Sequence, residues 1–389
     1  MNTLFLYLLT LCDYRLGPLS IADWTLIFLL IRALLYKPVL YITDRMGVAL
    51  ALMGIGIILS TILNVYKPYF DFLDFILSFG KLVLYLLALF LVPQYLSIFN
   101  INYSRHLRNI LVIATFGGLL QRAIVSVFGR SSWPLYSLGG HWFGLKTEIT
   151  MFNNAGMMRS RSFWSEPAHF AIFISLVFIL LLFIEKGNLE KRYYVVYVLG
   201  ILLANSLSGY AIMIAIFALY LIDFREIKNV IKILLGLFTF AAALYVLIQK
   251  NTYLRGRVAN LFALKDHSGV VRTIGGFKFL DYIPWYGVGI GNHANYYKSL
   301  LGLGTLWFSG SGEFYNNILL AIITMGYIGA VGFLLFEYQV LKKDKKIFVA
   351  LIISHFGWGK LYTIPIWLFL ILYILLKNQV EMVEDNENG

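Results

Sequence analysis

The residues best suited to chemistry lie in one short stretch, RSRSFWSEPAHFA, at 159–171. Arg159 and Arg161 carry planar forks of donors that match phosphate oxygens. Glu166 and His169 stand three apart, on one face of a helix that starts nearby, and an acid beside a histidine can move a proton. A plainer account of Glu166 also exists. Ser165 suits an N-cap, Pro167 suits a first helical turn, and an acid there meets the positive end of the helix dipole. The sequence leaves both readings open.

A second group of candidates follows further along. Arg255, Arg257, Lys265, Arg272, Lys278 and Lys298 precede or flank His293 and Glu313. Arginines clustered just outside a membrane suit a lipid-linked phosphate or pyrophosphate. They equally suit ordinary lipid headgroups, or the acids Glu148, Glu166, Asp266, Asp281 and Glu313. The stretch DYIPWYGVGIGN at 281–292 alternates glycines but follows no strand of a βαβ unit, so it reads as a bent loop and not as a nucleotide cradle. A polar run, SGSGEFYNN, then leads into a segment with Gly326, Gly329 and Gly332, whose spacing permits close helix packing.

The elements that position these residues must be membrane helices. Sixty per cent of the 389 residues are hydrophobic and 13% are charged, too little charge to cover a soluble protein of this length. The 31 Phe, 26 Tyr and 8 Trp fit a chain with aromatic belts at two interfaces. The formal charge of +12 then belongs first to cytoplasmic loops and does not indicate nucleic acid. The single cysteine, Cys12, excludes an internal disulfide and a cysteine metal site. No basic n-region or cleavage site marks the apolar start as a signal peptide.

About twelve spans are expected, near 2–12, 21–36, 47–66, 76–99, 109–128, 166–184, 193–206, 207–222, 231–249, 315–341, 346–356 and 361–377. The uncharged run from Tyr193 to Ile222 is too long for one span. It carries Asn205, Ser206, Ser208 and Gly209 at its middle, which predicts a hairpin or two half-helices there. One set of alternate short loops holds fourteen cations, among them Arg105, Arg108, Lys186, Lys191, Arg192 and Lys342, against Arg15, Lys67 and Lys360 in the other. The richer set is expected in the cytoplasm, with both termini. The expected layout is one membrane domain, 1–389: helices in 1–128, an outer loop at 129–165, helices in 166–249, a long outer loop at 250–313, helices in 314–377 and a frayed acidic tail at 378–389. Long outer loops among short connections are where function concentrates.

Four features in this order resemble the bacterial O-antigen and capsule repeat-unit polymerases (Wzy-type), relatives of the O-antigen ligases. They are Arg159 with Phe163-Trp164 and Glu166-Pro167; the break Asn205-Ser206-Leu207-Ser208-Gly209-Tyr210; Arg272 ahead of Pro284, Gly287, Val288 and Gly289; and Asn316-Asn317 before Gly326, Ile328 and Gly329. The resemblance covers about Arg159 to Phe336. It implies an all-α polytopic membrane protein of GT-C-like architecture that joins undecaprenyl-pyrophosphate-linked oligosaccharide units at the outer face of the inner membrane. No metal, cofactor, nucleotide sugar or nucleic acid is implied; membrane lipid, a chain-length regulator and a flippase are the implied partners. Arg159, Arg161 and Arg272, helped by Arg255 and Arg257, would hold the pyrophosphate, whose developing charge fixed cations stabilise. The base that takes the hydroxyl proton would be Glu166, Glu313, His169 or His293. Ligases place a His-Asn pair at the end of the long loop, where this chain has Glu313 and Asn316 with His293 upstream. An O-antigen ligase and a lipid-linked oligosaccharide flippase remain the alternatives. No internal repeat supports a transporter of duplicated halves.

Overall fold

Apolar side chains on every face of residues 167–184 leave that segment no side for water, and it forms the centre of the larger of two structural units. The computed structural model describes residues 3–36, 42–99, 101–128, 159–164, 166–186, 188–221, 279–302, 316–357 and 361–388, with a few isolated positions between 249 and 277. These residues are almost entirely helical. The helices are α1 (Leu4–Leu8), α2 (Ile21–Leu35), α3 (Asp44–Asn64), α4 (Phe72–Ser97), α5 (Tyr103–Phe128), α6 (Pro167–Ile184), α7 (Lys191–Ala204), α8 (Leu207–Leu221), α9 (His293–Gly302), α10 (Asn317–Leu341), α11 (Lys345–Gly357) and α12 (Ile364–Asn388). Among the described residues, α3, α4, α5 and α6 are long and apolar enough to cross a membrane, and α10 reaches that length only when counted across a break at Gly326. The chain is therefore a multi-pass membrane protein by helix length and composition.

The expected first span at 2–12 is helical only over Leu4–Leu8. Two-residue strands, β1 (Arg15–Leu16) and β2 (Leu19–Ser20), then turn the chain over Gly17 into α2, where Ser20 and Asp23 close a capping box. The tail expected to fray has helical backbone as far as Asn388. The span expected at 231–249 and most of both outer loops lie outside the described residues.

One unit comprises residues 1–39, 87–256 and 364–389. Within it α5, α7, α8 and α12 pack around α6. Gly200 lets α7 approach, since a Cβ there would sit 2.6 Å from Ile174 and 2.9 Å from Thr115. The 30-residue apolar run does break, at Asn205, which adopts left-handed φ/ψ of 46° and 49°, a conformation asparagine tolerates well. Phe178 stacks on Tyr197, and both rings meet Phe217, so α7 and α8 return along each other as a hairpin.

The other unit comprises residues 40–86 and 257–363. Here α3 lies against α10 along Gly56, Gly329 and Gly332, and a Cβ on Gly56 would come within 2.6 Å of the Gly329 backbone. The close packing expected of the glycine series is present for Gly329 and Gly332. Gly326 does something else. Its φ of 69° and ψ of −179° interrupt α10, leaving nine residues before it and fifteen after. The carbonyls of Ile323 and Thr324, which would have bonded the next turn, accept instead from Val288 N–H (2.8 Å) and Gly289 N–H (3.2 Å). Tyr327 N–H in turn donates to the Trp285 carbonyl at 3.0 Å. Residues 285–289 thus staple the break and satisfy backbone groups that an apolar surrounding would not.

The break is sharp enough to reverse the chain. His355 bonds Asn317 at 3.2 Å and Glu337 at 2.9 Å. In a straight helix those two residues would stand about 30 Å apart. Sharing one imidazole brings their Cα atoms within about 17 Å. The expected single span at 315–341 is therefore a folded-back pair of legs, about 14 and 22 Å long.

Candidate functional site

Pro167 at the first turn starts α6, and Glu166 takes the N-cap position with no capping bond of its own. Ser165, the expected cap, lies outside the described residues. Freed from capping, the Glu166 carboxylate approaches His169 one turn later, Oε2 standing 3.9 Å from Nε2. The other ring nitrogen, Nδ1, faces Asp13 Oδ2 at 3.5 Å. The imidazole is almost wholly enclosed (4% exposed), Asp13 is 11% exposed, and Glu166 is the most open of the three at 26%. This gives an acid–histidine–acid line whose outer carboxylate is the accessible end.

The arginine stretch is held by α5 and by the α7–α8 hairpin. Gln121, buried in α5, accepts from two successive backbone donors, Arg161 N–H at 2.8 Å and Ser162 N–H at 3.0 Å. Ser162, at a φ of 52°, donates its hydroxyl to the Ala114 carbonyl. Gly117 leaves room for this turn, because a Cβ there would strike Ser162 and the Phe163 ring. Ser160 N–H donates to the Leu203 carbonyl at 2.9 Å, and Arg159 Nε donates to the Asn205 carbonyl at 3.1 Å. Trp164, packed on Phe170 and Phe173, seats the stretch on α6.

Three guanidiniums result. Arg159 and Arg122, the latter half-buried on α5, both act electrostatically on the Tyr210 hydroxyl, which donates to Asn205 Oδ1 at 3.2 Å. Arg122 has no ion pair among the described residues. Arg161 is buried beside Tyr14. Burial pushes the Tyr14 phenol up, the Arg161 guanidinium opposes this, and Asp13 adds to it, so phenol, guanidinium and carboxylate share one neighbourhood. The arrangement can hold an anion with the arginines and accept a proton at Glu166.

The far end of α6 is built differently. Arg108 bonds Glu185 at 2.6 Å and Glu190 at 3.1 Å, Arg192 bonds Glu190, and Ser104 donates to Glu185. Two of the basic connections read as cytoplasmic, those of Arg105/Arg108 and Lys186/Lys191/Arg192, thus meet at one end of the unit.

Arg161, Glu166 and His169 share the neighbourhood of Asp13, and Arg159 stands with Arg122 at Tyr210. Asp13, Gln121, Arg122 and Tyr210 join them without having been singled out as site residues. Gln121 and Arg122, adjacent polar residues inside an apolar run, were the available signal. Arg255 is exposed in the same unit with no partner seen among the described residues. Glu313, Arg257 and Arg272 lie outside the described residues. His293 opens α9 in the other unit, where burial holds its imidazole down to about 4 and its enclosed Nδ1 has no hydrogen-bond partner among the described residues. Compared with known proteins, the chain matches no family model, no curated protein and no solved structure.

Proposed function

We propose that the chain is a polysaccharide polymerase. It transfers a growing glycan from undecaprenyl pyrophosphate to a hydroxyl of the next lipid-linked repeat unit, at the outer face of the bacterial inner membrane. A helical membrane bundle of GT-C-like architecture frames the reaction. The observation that supports this reading is the line Glu166–His169–Asp13 with Arg161 in the same neighbourhood, preceded two residues earlier in the chain by Arg159, which stands with Arg122 at Tyr210. Guanidiniums set at the end of an apolar unit suit an anionic ligand. The donor pyrophosphate is such a ligand and gathers charge as it leaves.

In this reading the acceptor hydroxyl gives its proton to Glu166, the carboxylate with the freest approach. The hydroxyl oxygen bonds to the anomeric carbon as the carbon–oxygen bond to pyrophosphate breaks. His169, backed by Asp13, orients Glu166 and balances its change of charge. Arg159 and Arg122 hold the pyrophosphate oxygens, with Arg161 behind them.

The test is complementation of a deletion strain with Arg159→Ala, Arg122→Ala and Glu166→Gln. Each is expected to collapse a polymer ladder to single repeat units at unchanged membrane protein level, and Arg159→Lys to retain part of the ladder. A full-length ladder from both alanine variants defeats the assignment. The hairpin at Asn205 and the break at Gly326 favour a carrier of lipid-linked oligosaccharide as the second reading, because broken helices line transport paths. Single units trapped on the cytoplasmic leaflet would mark a carrier, and accumulated long lipid-linked polymer a ligase.

A further inference from the structure

The second unit contains a set of ionisable groups that the proposed transfer does not use. Asn317, Glu337 and His355 are each 0% exposed. Asn317 Nδ2 meets His355 Nδ1 at 3.2 Å, and His355 Nε2 meets both Glu337 oxygens, at 3.1 and 2.9 Å. The Phe333 ring covers the imidazole. Asn317 Oδ1 is buried with no partner among the described residues. Asn317 stands at the start of the first leg of α10, Glu337 lies on the second leg, and His355 comes from α11.

We propose that Asn317, His355 and Glu337 form a proton-binding site that ties the two legs of α10 together, so that one proton closes the hairpin and its loss releases it. A carboxylate enclosed in apolar packing needs a positive partner, and among the described residues the imidazolium is the only one in reach. With one proton in excess of the bare carboxylate and neutral ring, the pair is electroneutral, either as imidazolium–carboxylate or as imidazole–carboxylic acid. Without that proton the interior holds a lone negative charge. Asn317 reads the same event. Its amide donates to a bare Nδ1, whereas a protonated Nδ1 requires the amide to turn and offer Oδ1, the oxygen that otherwise lacks a donor.

The surroundings supply few competing groups. From α3, Ala49, Leu52, Met53 and Gly56 stand against the glycines of α10, and the charged side chains of that helix are Asp44 and Arg45 in its first turn. Tyr362 is engaged with Thr324 on the first leg. On α9, His293, Tyr296, Tyr297 and Lys298 make no bond to the three side chains. The site does not depend on the glycosyl-transfer reading.

The experiment uses the full chain in nanodiscs with 15N-labelled histidine, and the His355 resonances are assigned by their loss in His355→Asn. The expected wild-type signal is a ring protonated on Nδ1 and bonded through Nε2 to the Glu337 carboxyl group, and raising the pH until the proton leaves is expected to lower the amide protection factors over 317–341 about tenfold. Glu337→Gln should abolish the carboxylate signature and speed exchange at neutral pH. The pair Glu337→Gln with His355→Asn, which joins two neutral amides, should keep its protection factors at every pH. A His355 spectrum indifferent to pH and to Glu337→Gln, or wild-type protection factors over 317–341 that the pH does not alter, overturns the proposal.

Discussion

Replacing Gln121 with leucine removes the acceptor on which the arginine stretch hangs, with little change of volume. Gln121 is 2% exposed, and its Oε1 takes both the Arg161 and Ser162 N–H groups. Leucine leaves two donors in an enclosed, largely apolar setting, and an orphaned donor costs about 1–3 kcal/mol. The two together amount to about 2–6 kcal/mol, more than the Ser160–Leu203 and Arg159–Asn205 bonds restore at about 1 kcal/mol each. The stretch is therefore expected to leave α5 while the bundle stays folded, taking both arginines out of register. The assay is polymer length in a complemented deletion strain, read beside protease sensitivity around residues 159–164 in purified membranes. Gln121→Leu should give single units and a new cleavage site; Gln121→Glu keeps the acceptor and should restore both. Wild-type polymer and wild-type protection in Gln121→Leu would refute the idea that this side chain positions the arginines.

Gly326→Ala places a side chain where φ is positive and a Cβ would stand 2.6 Å from the Trp285 carbonyl oxygen. Backbone strain of about 1–3 kcal/mol and loss of the three stapling bonds at about 1 kcal/mol each predict a loss of about 4–6 kcal/mol, seen as a fall in thermal midpoint. Spin labels at Ile318 and Leu335 should then move apart toward the roughly 25 Å of a continuous helix. Gly56→Leu should separate α3 from α10 and lower the yield of folded protein, whereas Gly54→Leu, with nothing within 4 Å, should not. His293 is held neutral in the fold down to about 4, below its ordinary 6.5. The stability it contributes is intact above pH 6.5 and is lost as the pH falls toward 4, on the order of 3 kcal/mol in all. Thermal melts between pH 8 and 4 should show that slope, and His293→Leu should flatten it.

Local chemistry was legible where the neighbours in space are neighbours in the chain. Pro167 fixes the start of α6, so the Glu166–His169 approach follows from helical spacing. Asn205 breaks an uncharged run too long to cross once, so the hairpin there was readable too. Long-range partners were not. Asp13 reaches His169 from a short helical turn and a two-residue ladder at the other end of the chain, for which periodicity has no signal. The reversal at Gly326 was hidden by its neighbours. Gly326, Gly329 and Gly332 look alike in sequence, but two admit α3 and one adopts a backbone conformation closed to other residues. Hydropathy averages over that single torsion and sees an unbroken apolar run.

That torsion also governs which side of the bilayer the rest of the chain reaches. A segment that turns back at Gly326 contributes no net crossing, although any count of apolar windows scores it as one. The connection after Leu341, with its lysines at 342, 343, 345 and 346, then lies on the same side of the break as Asn316. The bookkeeping of sidedness for the last two helices thus hinges on one residue. A reporter fused after Leu341 would change compartments if that glycine were made to continue the helix.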